Sequence, residues 1–214
     1  MKIINTNDPA IPGKEIANFI QTALNKSQKV LWLVSGGSAI DIAVKAASQI
    51  TPNPLLSIII IDERYGDKGH KDSNDKQLLE AGFSLPVHSI LINATKEETV
   101  KAYELYLTEM LGWADIKIAL VGMGSDGHTA GILPMSPATG ALNSCALGYP
   151  WTDYYRITAT PRIFKYIDKV YLWVQGESKK EALLKLTTIH DPQLQPAQYL
   201  KQAKDLIVYT DIKM

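Results

Sequence analysis

The stretch Ile116-Lys117-Ile118-Ala119-Leu120-Val121-Gly122-Met123-Gly124-Ser125-Asp126-Gly127-His128 changes character in one step. A short apolar run passes straight into glycines, a carboxylate and an imidazole. A nearly continuous apolar run of this length suits a strand covered on both faces, as in a parallel α/β sheet. Runs of the same kind are Val30–Val34, Leu55–Ile61, Val170–Val174 and Leu206–Tyr209.

Helical spacing fills the intervals. Ile16, Phe19, Ile20, Ala23 and Leu24 recur on one face of a helix, as do Val100, Tyr103, Leu107 and Met110. Ile40, Ala43, Val44 and Ala47 follow the Val30–Val34 run, and Ala182, Leu183 and Leu186 follow Val170–Val174. Strand alternating with helix predicts βαβ units and one α/β domain over residues 1–214. The fold expected is a Rossmann-like three-layer sandwich with a mostly parallel central sheet. Residues 135–155 read as an irregular excursion near the sheet edge.

Polar loops follow four of the apolar runs: Ser35-Gly36-Gly37-Ser38, Asp62-Glu63-Arg64, Gly122–His128 and Gln175-Gly176-Glu177-Ser178-Lys179. In an open parallel sheet such loops meet at the carboxyl edge, where ligands bind. Gly36 and Gly37 let the backbone turn tightly before a helix whose free N–H groups suit a phosphate, with Ser35 and Ser38 as added donors. The plainer alternative is a βα turn with Ser38 as N-cap. Asp62, Glu63 and Arg64 must face a wet cleft or pair with one another, and the Arg64 fork suits carbonyl or phosphate oxygens. Gly122, Gly124 and Gly127 expose backbone amides around Asp126 and His128, and imidazole is suited to proton transfer near neutral pH. Arg156 and Lys179 are the further cations near these loops. The third glycine of the Gly122–Gly127 loop is out of register for a dinucleotide fingerprint.

Composition narrows the classes. Lys+Arg and Asp+Glu each number 22 among 214 residues, which argues against a general nucleic-acid binder and leaves room for a small anionic ligand. Cys145 is the only cysteine, so no intrachain disulfide or cysteine cage forms. His70, His88 and His190 lack ligand-spaced partners, so no metal site is expected. The N-terminal residues lack a signal-peptide core, and no run reaches membrane-spanning length. The expectation is a cytoplasmic protein, monomer or small homo-oligomer, without a membrane partner.

Taken together, the motifs resemble the 6-phosphogluconolactonase family, a branch of a sugar-phosphate superfamily that also holds glucosamine-6-phosphate deaminase. The resemblance runs through Ser35–Ser38, Asp62-Glu63-Arg64 with Ser73-Asn74, and Gly122–Ala130 with its Asp126-Gly127-His128-Thr129-Ala130 core. It continues through Leu133-Pro134, Ser136-Pro137, Arg156-Ile157-Thr158, Thr160-Pro161 and Gly176 with Lys179. It implies hydrolysis of 6-phospho-D-glucono-1,5-lactone, a small phosphorylated sugar lactone, with no metal or organic cofactor. It implies His128 as the base that activates water and Arg64 near the lactone oxygens. The Ser35–Ser38 loop, Arg156 and Lys179 would hold the phosphate. Either Asp126 or Asp62 would orient the imidazole.

The chain departs from the family pattern at Ala39-Ile40, where Thr-Pro is usual, at Ile61 in place of glycine, and at Gly131-Ile132-Leu133-Pro134. The deaminase branch carries a glutamate where this chain has Leu133, and favours tyrosine where it has Arg64. Two alternatives stay open: a deaminase or isomerase of that branch, and a non-catalytic sugar-phosphate sensor.

Overall fold

The computed structural model describes residues 1–152 and 154–213. In chain order the elements are β1 (Lys2–Asn5), α1 (Ala10–Asn25), β2 (Val30–Val34), α2 (Ile40–Ala47), β3 (Leu56–Ile60), β4 (Asp62–Arg64), α3 (Asn74–Glu80), α4 (Lys96–Trp113), β5 (Ile116–Gly122), β6 (Ala146–Pro150), β7 (Tyr155–Ala159), β8 (Lys169–Val174), α5 (Lys180–Thr187) and β9 (Asp205–Thr210). Every apolar run singled out above is a strand of one 6-stranded sheet, ordered β1-β9-β8-β5-β2-β3. All of its pairings are parallel. No helix of the described residues is long and apolar enough to cross a membrane.

Burial explains the reading. Val30, Leu31, Trp32, Leu33 and Val34 are fully buried, so both faces of β2 are covered. That is why its sequence shows no alternation of apolar and polar residues. α1 and α2 pack on each other. The Tyr103 hydroxyl of α4 donates to the carbonyls of Ile60 (3.1 Å) and Ile61 (3.0 Å) at the carboxyl end of β3.

The strand order places the site. From β2 the chain steps outward to β3, then returns across β2 to β5 and continues to β8 and β9. The loops behind β2 and β5 therefore diverge, and a crevice opens between them at the carboxyl edge.

A second, 3-stranded sheet, ordered β4-β7-β6 and antiparallel, corrects two expectations. Asp62–Arg64 is a strand, not a loop. Residues 135–155 are only partly irregular, for they hold a 3₁₀ turn at Pro137–Gly140 and the strand β6. Ile61 joins the two sheets. Its N–H donates to Val34 of β2 (2.9 Å), and its carbonyl accepts from Ala159 at the end of β7 (2.9 Å). Ser38 is not an N-cap: the 3₁₀ turn Gly37–Ala39 leads directly into α2, and neither start carries a side-chain cap.

Candidate active site

The loop behind β5 folds back on itself. The Gly124 N–H donates to the His128 carbonyl, and the Gly127 N–H to the Gly124 carbonyl, both at 3.0 Å. This closure brings Asp126 under the imidazole. Asp126 Oδ1 lies 2.6 Å from His128 Nδ1 and also accepts the His128 backbone N–H at 3.1 Å. One carboxylate oxygen thus fixes both ring and backbone, leaving Nε2 without a partner among the described residues. The hydrogen bond from His128 holds the Asp126 carboxyl below the usual range, so it is ionised near neutrality. The approach is close: a Cβ at Gly124 would sit 2.3 Å from His128 Nδ1 and Cε1.

A cavity of about 220 Å³ lies in front of that imidazole. One wall is the β2 loop, Ser35, Gly36, Gly37 and Ser38. The β5 loop supplies Gly122, Gly124 and His128, and the small sheet supplies Asp62, Arg64 and Arg156. Lys179 closes the rim just before α5. Of the candidate residues, only Asp126 and Gly127 stand off the wall. Asp126 is bonded to the His128 ring, while Gly127 packs against the Gln195 side chain.

The cavity is rich in unspent donors. Arg64 and Arg156 are opposite each other in the β4–β7 register, a placement in which like charges repel. Neither forms an ion pair among the described residues, and the Nε of each is buried without a hydrogen-bond partner. Arg64 is aimed by one bond, from Nη1 to the Asp72 carbonyl at 2.8 Å. Lys179 also has no ion-pair partner, and burial lowers its pKa against the pull of Asp211. Cations that line one cavity without closing an ion pair among the described residues suit an anion.

Asp62 and Glu63 behave differently from their neighbour Arg64. Asp62 is 7% exposed, and burial raises its pKa against the opposing effects of Arg64, Ser35 and Arg156. It accepts from Ser35 Oγ at 3.1 Å, so Asp126, not Asp62, holds the imidazole. Glu63 neither faces the cleft nor pairs with a cation. Its carboxylate accepts the backbone N–H of Arg64 and of Asn74 at 2.8 Å, and of Asp75 at 3.3 Å, at the start of α3. Among the described residues no cluster of His, Cys, Asp and Glu could hold a metal ion.

The family model for glucosamine-6-phosphate isomerases/6-phosphogluconolactonase matches residues 12–208. The chain belongs to this family. Among its relatives are the 6-phosphogluconolactonase of Pseudomonas aeruginosa, 26% identical over 206 residues covering 88% of this chain and 84% of that one, and the 6-phosphogluconolactonase of Synechocystis, 26% identical over 199 residues covering 87% and 83%. The 6-phosphogluconolactonase structure from Thermotoga maritima shares the fold with a TM-score of 0.80, covering 98% of both chains at 23% identity. That from Trypanosoma cruzi gives 0.79 at 20% identity, covering 98% and 94%. The resemblance read from the motifs is borne out.

Within this family member, sequence reasoning passed over three supports of the site. Asn74 lines the cavity, Glu63 clamps α3, and Gln195 packs behind Gly127 while bonding the Ala182 carbonyl at 2.6 Å. Asn74 stood inside a quoted motif, and nothing in the sequence marked it as a cavity residue.

Proposed function

We propose that the chain is a 6-phosphogluconolactonase, hydrolysing 6-phospho-D-glucono-1,5-lactone to 6-phosphogluconate in the oxidative pentose phosphate pathway. One observation carries this reading: an imidazole oriented by a carboxylate shares a cavity with two arginines that close no ion pair among the described residues. A phosphorylated lactone needs both, a base for water and cations for its oxygens.

The phosphate binds the Ser35–Ser38 loop with Arg156 and Lys179. Binding energy at this remote group orients C1 toward His128. Asp126 holds the proton on Nδ1, so Nε2 takes the proton from the attacking water. Base catalysis of this kind contributes about 10²–10⁴-fold. Arg64 and the backbone amides of the Gly122–Gly127 loop stabilise the tetrahedral oxyanion. Collapse expels the ring oxygen, which takes the proton back from His128. Ser125 is not the nucleophile, since Gly124-Ser125-Asp126-Gly127 lacks the elbow spacing of serine hydrolases. The reading carries with it a cytoplasmic enzyme, monomer or small homo-oligomer, working without metal or organic cofactor.

Leu133, 7% exposed, supplies no carboxylate for the several proton transfers of a deaminase. The test is substrate choice. The protein is expected to accelerate loss of the lactone and to release no ammonia from glucosamine 6-phosphate. Ammonia release without lactone hydrolysis would overturn the reading, and phosphate-dependent binding without turnover would mark a sensor.

A further inference from the structure

Gly36 and Gly37 are adjacent, yet the structure requires glycine at each for a different reason. Gly37 has φ of +65° with open space where a Cβ would point, so it serves the turn itself. Gly36 has φ −77° and ψ −163°, extended backbone open to any residue. What forbids a side chain there is Asn74. A Cβ on Gly36 would lie 2.1 Å from Asn74 Oδ1, 2.4 Å from its Cγ and 3.0 Å from its Cβ, so truncating Asn74 removes the two severe clashes and leaves one tight contact that a shift of a few tenths of an ångström relieves.

Asn74 has no freedom to move aside. Its Nδ2 donates to the Asp62 carbonyl at 2.7 Å, which turns Oδ1 toward Gly36. Its own N–H is held at 2.8 Å by both oxygens of Glu63. Asn74 is 2% exposed, and Oδ1 is buried without a hydrogen-bond partner among the described residues. A buried acceptor left unpaired calls for an explanation. Here the carbonyl packs where Gly36 lacks a side chain, joining α3 and β4 to the β2 loop.

We infer that Asn74 is a positioning residue for the anion loop, and that Gly36 is glycine to admit the Asn74 amide and not to admit the ligand. Through this contact the small sheet, which carries Asp62, Arg64 and, across the ladder, Arg156, is set against Ser35–Ser38. Together with the Ser35–Asp62 hydrogen bond, this contact sets the spacing between the loop donors and the arginine pair. The inference rests on the proposed phosphate role of that loop, but its test is separable from the reaction.

The test is a cycle of Gly36→Ala and Asn74→Ala, alone and combined. Inorganic phosphate is titrated and followed through the amide resonances of Gly37 and Ser38, with KM and kcat for the lactone measured beside it. In the native background Gly36→Ala is expected to weaken phosphate binding at least about tenfold, and to raise KM more than it lowers kcat. In the Asn74→Ala background the same substitution is expected to change affinity less than about threefold. Equal loss in both backgrounds, or none in either, would overturn the inference. Should Asn74→Ala fail to fold, Asn74→Ser replaces it, since its single hydroxyl can rotate away from Ala at position 36. A native protein that binds phosphate but leaves the lactone untouched would defeat the proposed reaction alone.

Discussion

His128 and Asp126 are two residues apart, and the Gly124–His128 loop that carries both is their scaffold. Gly124 and Gly127 close the turn, and the Asp126 carboxylate holds the imidazole at Nδ1. The site is correspondingly intolerant of bulk. Gly124→Ala would push a methyl group to 2.3 Å from the ring and displace His128. The expected outcome is a loss of about 10²-fold in kcat, since a base misplaced by about 1 Å loses its near-attack geometry. Thermal melts beside the kinetics check that the fold persists; undiminished kcat in a folded variant would refute the tight fit. These residues were legible in sequence because glycine density, a carboxylate and an imidazole are visible in one short window. Asn74 and Glu63 were not legible. Their hydrogen bonds join β4 to the start of α3 through backbone groups, and backbone partners leave no mark on composition.

Among the elements, the long buried strands announced themselves, because double-sided burial writes a continuous apolar run. The small sheet did not. β4 is made of three charged residues, and β7 alternates only briefly before Pro161. β1 is an edge strand with mostly exposed residues, so burial imposed no pattern on it. Glu63 shows how such a strand is held. Burial pushes its carboxyl up to about 8, against the N–H groups of Asn74, Arg64 and Asp75. The folded state therefore binds this proton more tightly than the unfolded chain, where the ordinary value is 4.5. The contribution of Glu63 to stability is full below that value and is lost as pH rises through about 8. Denaturant midpoints measured from pH 5 to pH 9 should fall with rising pH through this group, and Glu63→Gln should flatten that fall. An unchanged slope in Glu63→Gln would contradict the assignment.

The whole molecule is electrically balanced, yet its cations are unevenly spent. Lysines such as Lys185 and Lys204 pair at the surface, while Arg64 and Arg156 are opposite each other across β4 and β7 and close no ion pair among the described residues. On the proposed function, this arrangement trades stability for a binding field. Arg156→Gln is therefore expected to raise the stability of the free protein by about 0.2–1 kcal/mol. The same change should abolish most of the stabilisation that 6-phosphogluconate gives the native protein, a term of about 2.7 kcal/mol at a hundredfold excess over Kd. Denaturation with and without 6-phosphogluconate reads both effects, and a less stable free variant would contradict the repulsion. At this scale the sequence revealed the sheet and the edge at which its loops meet. It did not reveal the antiparallel sheet that brings the arginines there.

The most direct test of the account follows the disappearance of 6-phosphogluconolactone by NMR as the lactone is generated in situ. Native protein, His128→Ala, Ser125→Ala and a protein-free control run together, because the lactone also hydrolyses unaided. Native protein and Ser125→Ala are expected to accelerate the loss. A folded His128→Ala is expected to fall by about 10²–10⁴-fold. Native protein no faster than the control, or His128→Ala as fast as native, would contradict the account.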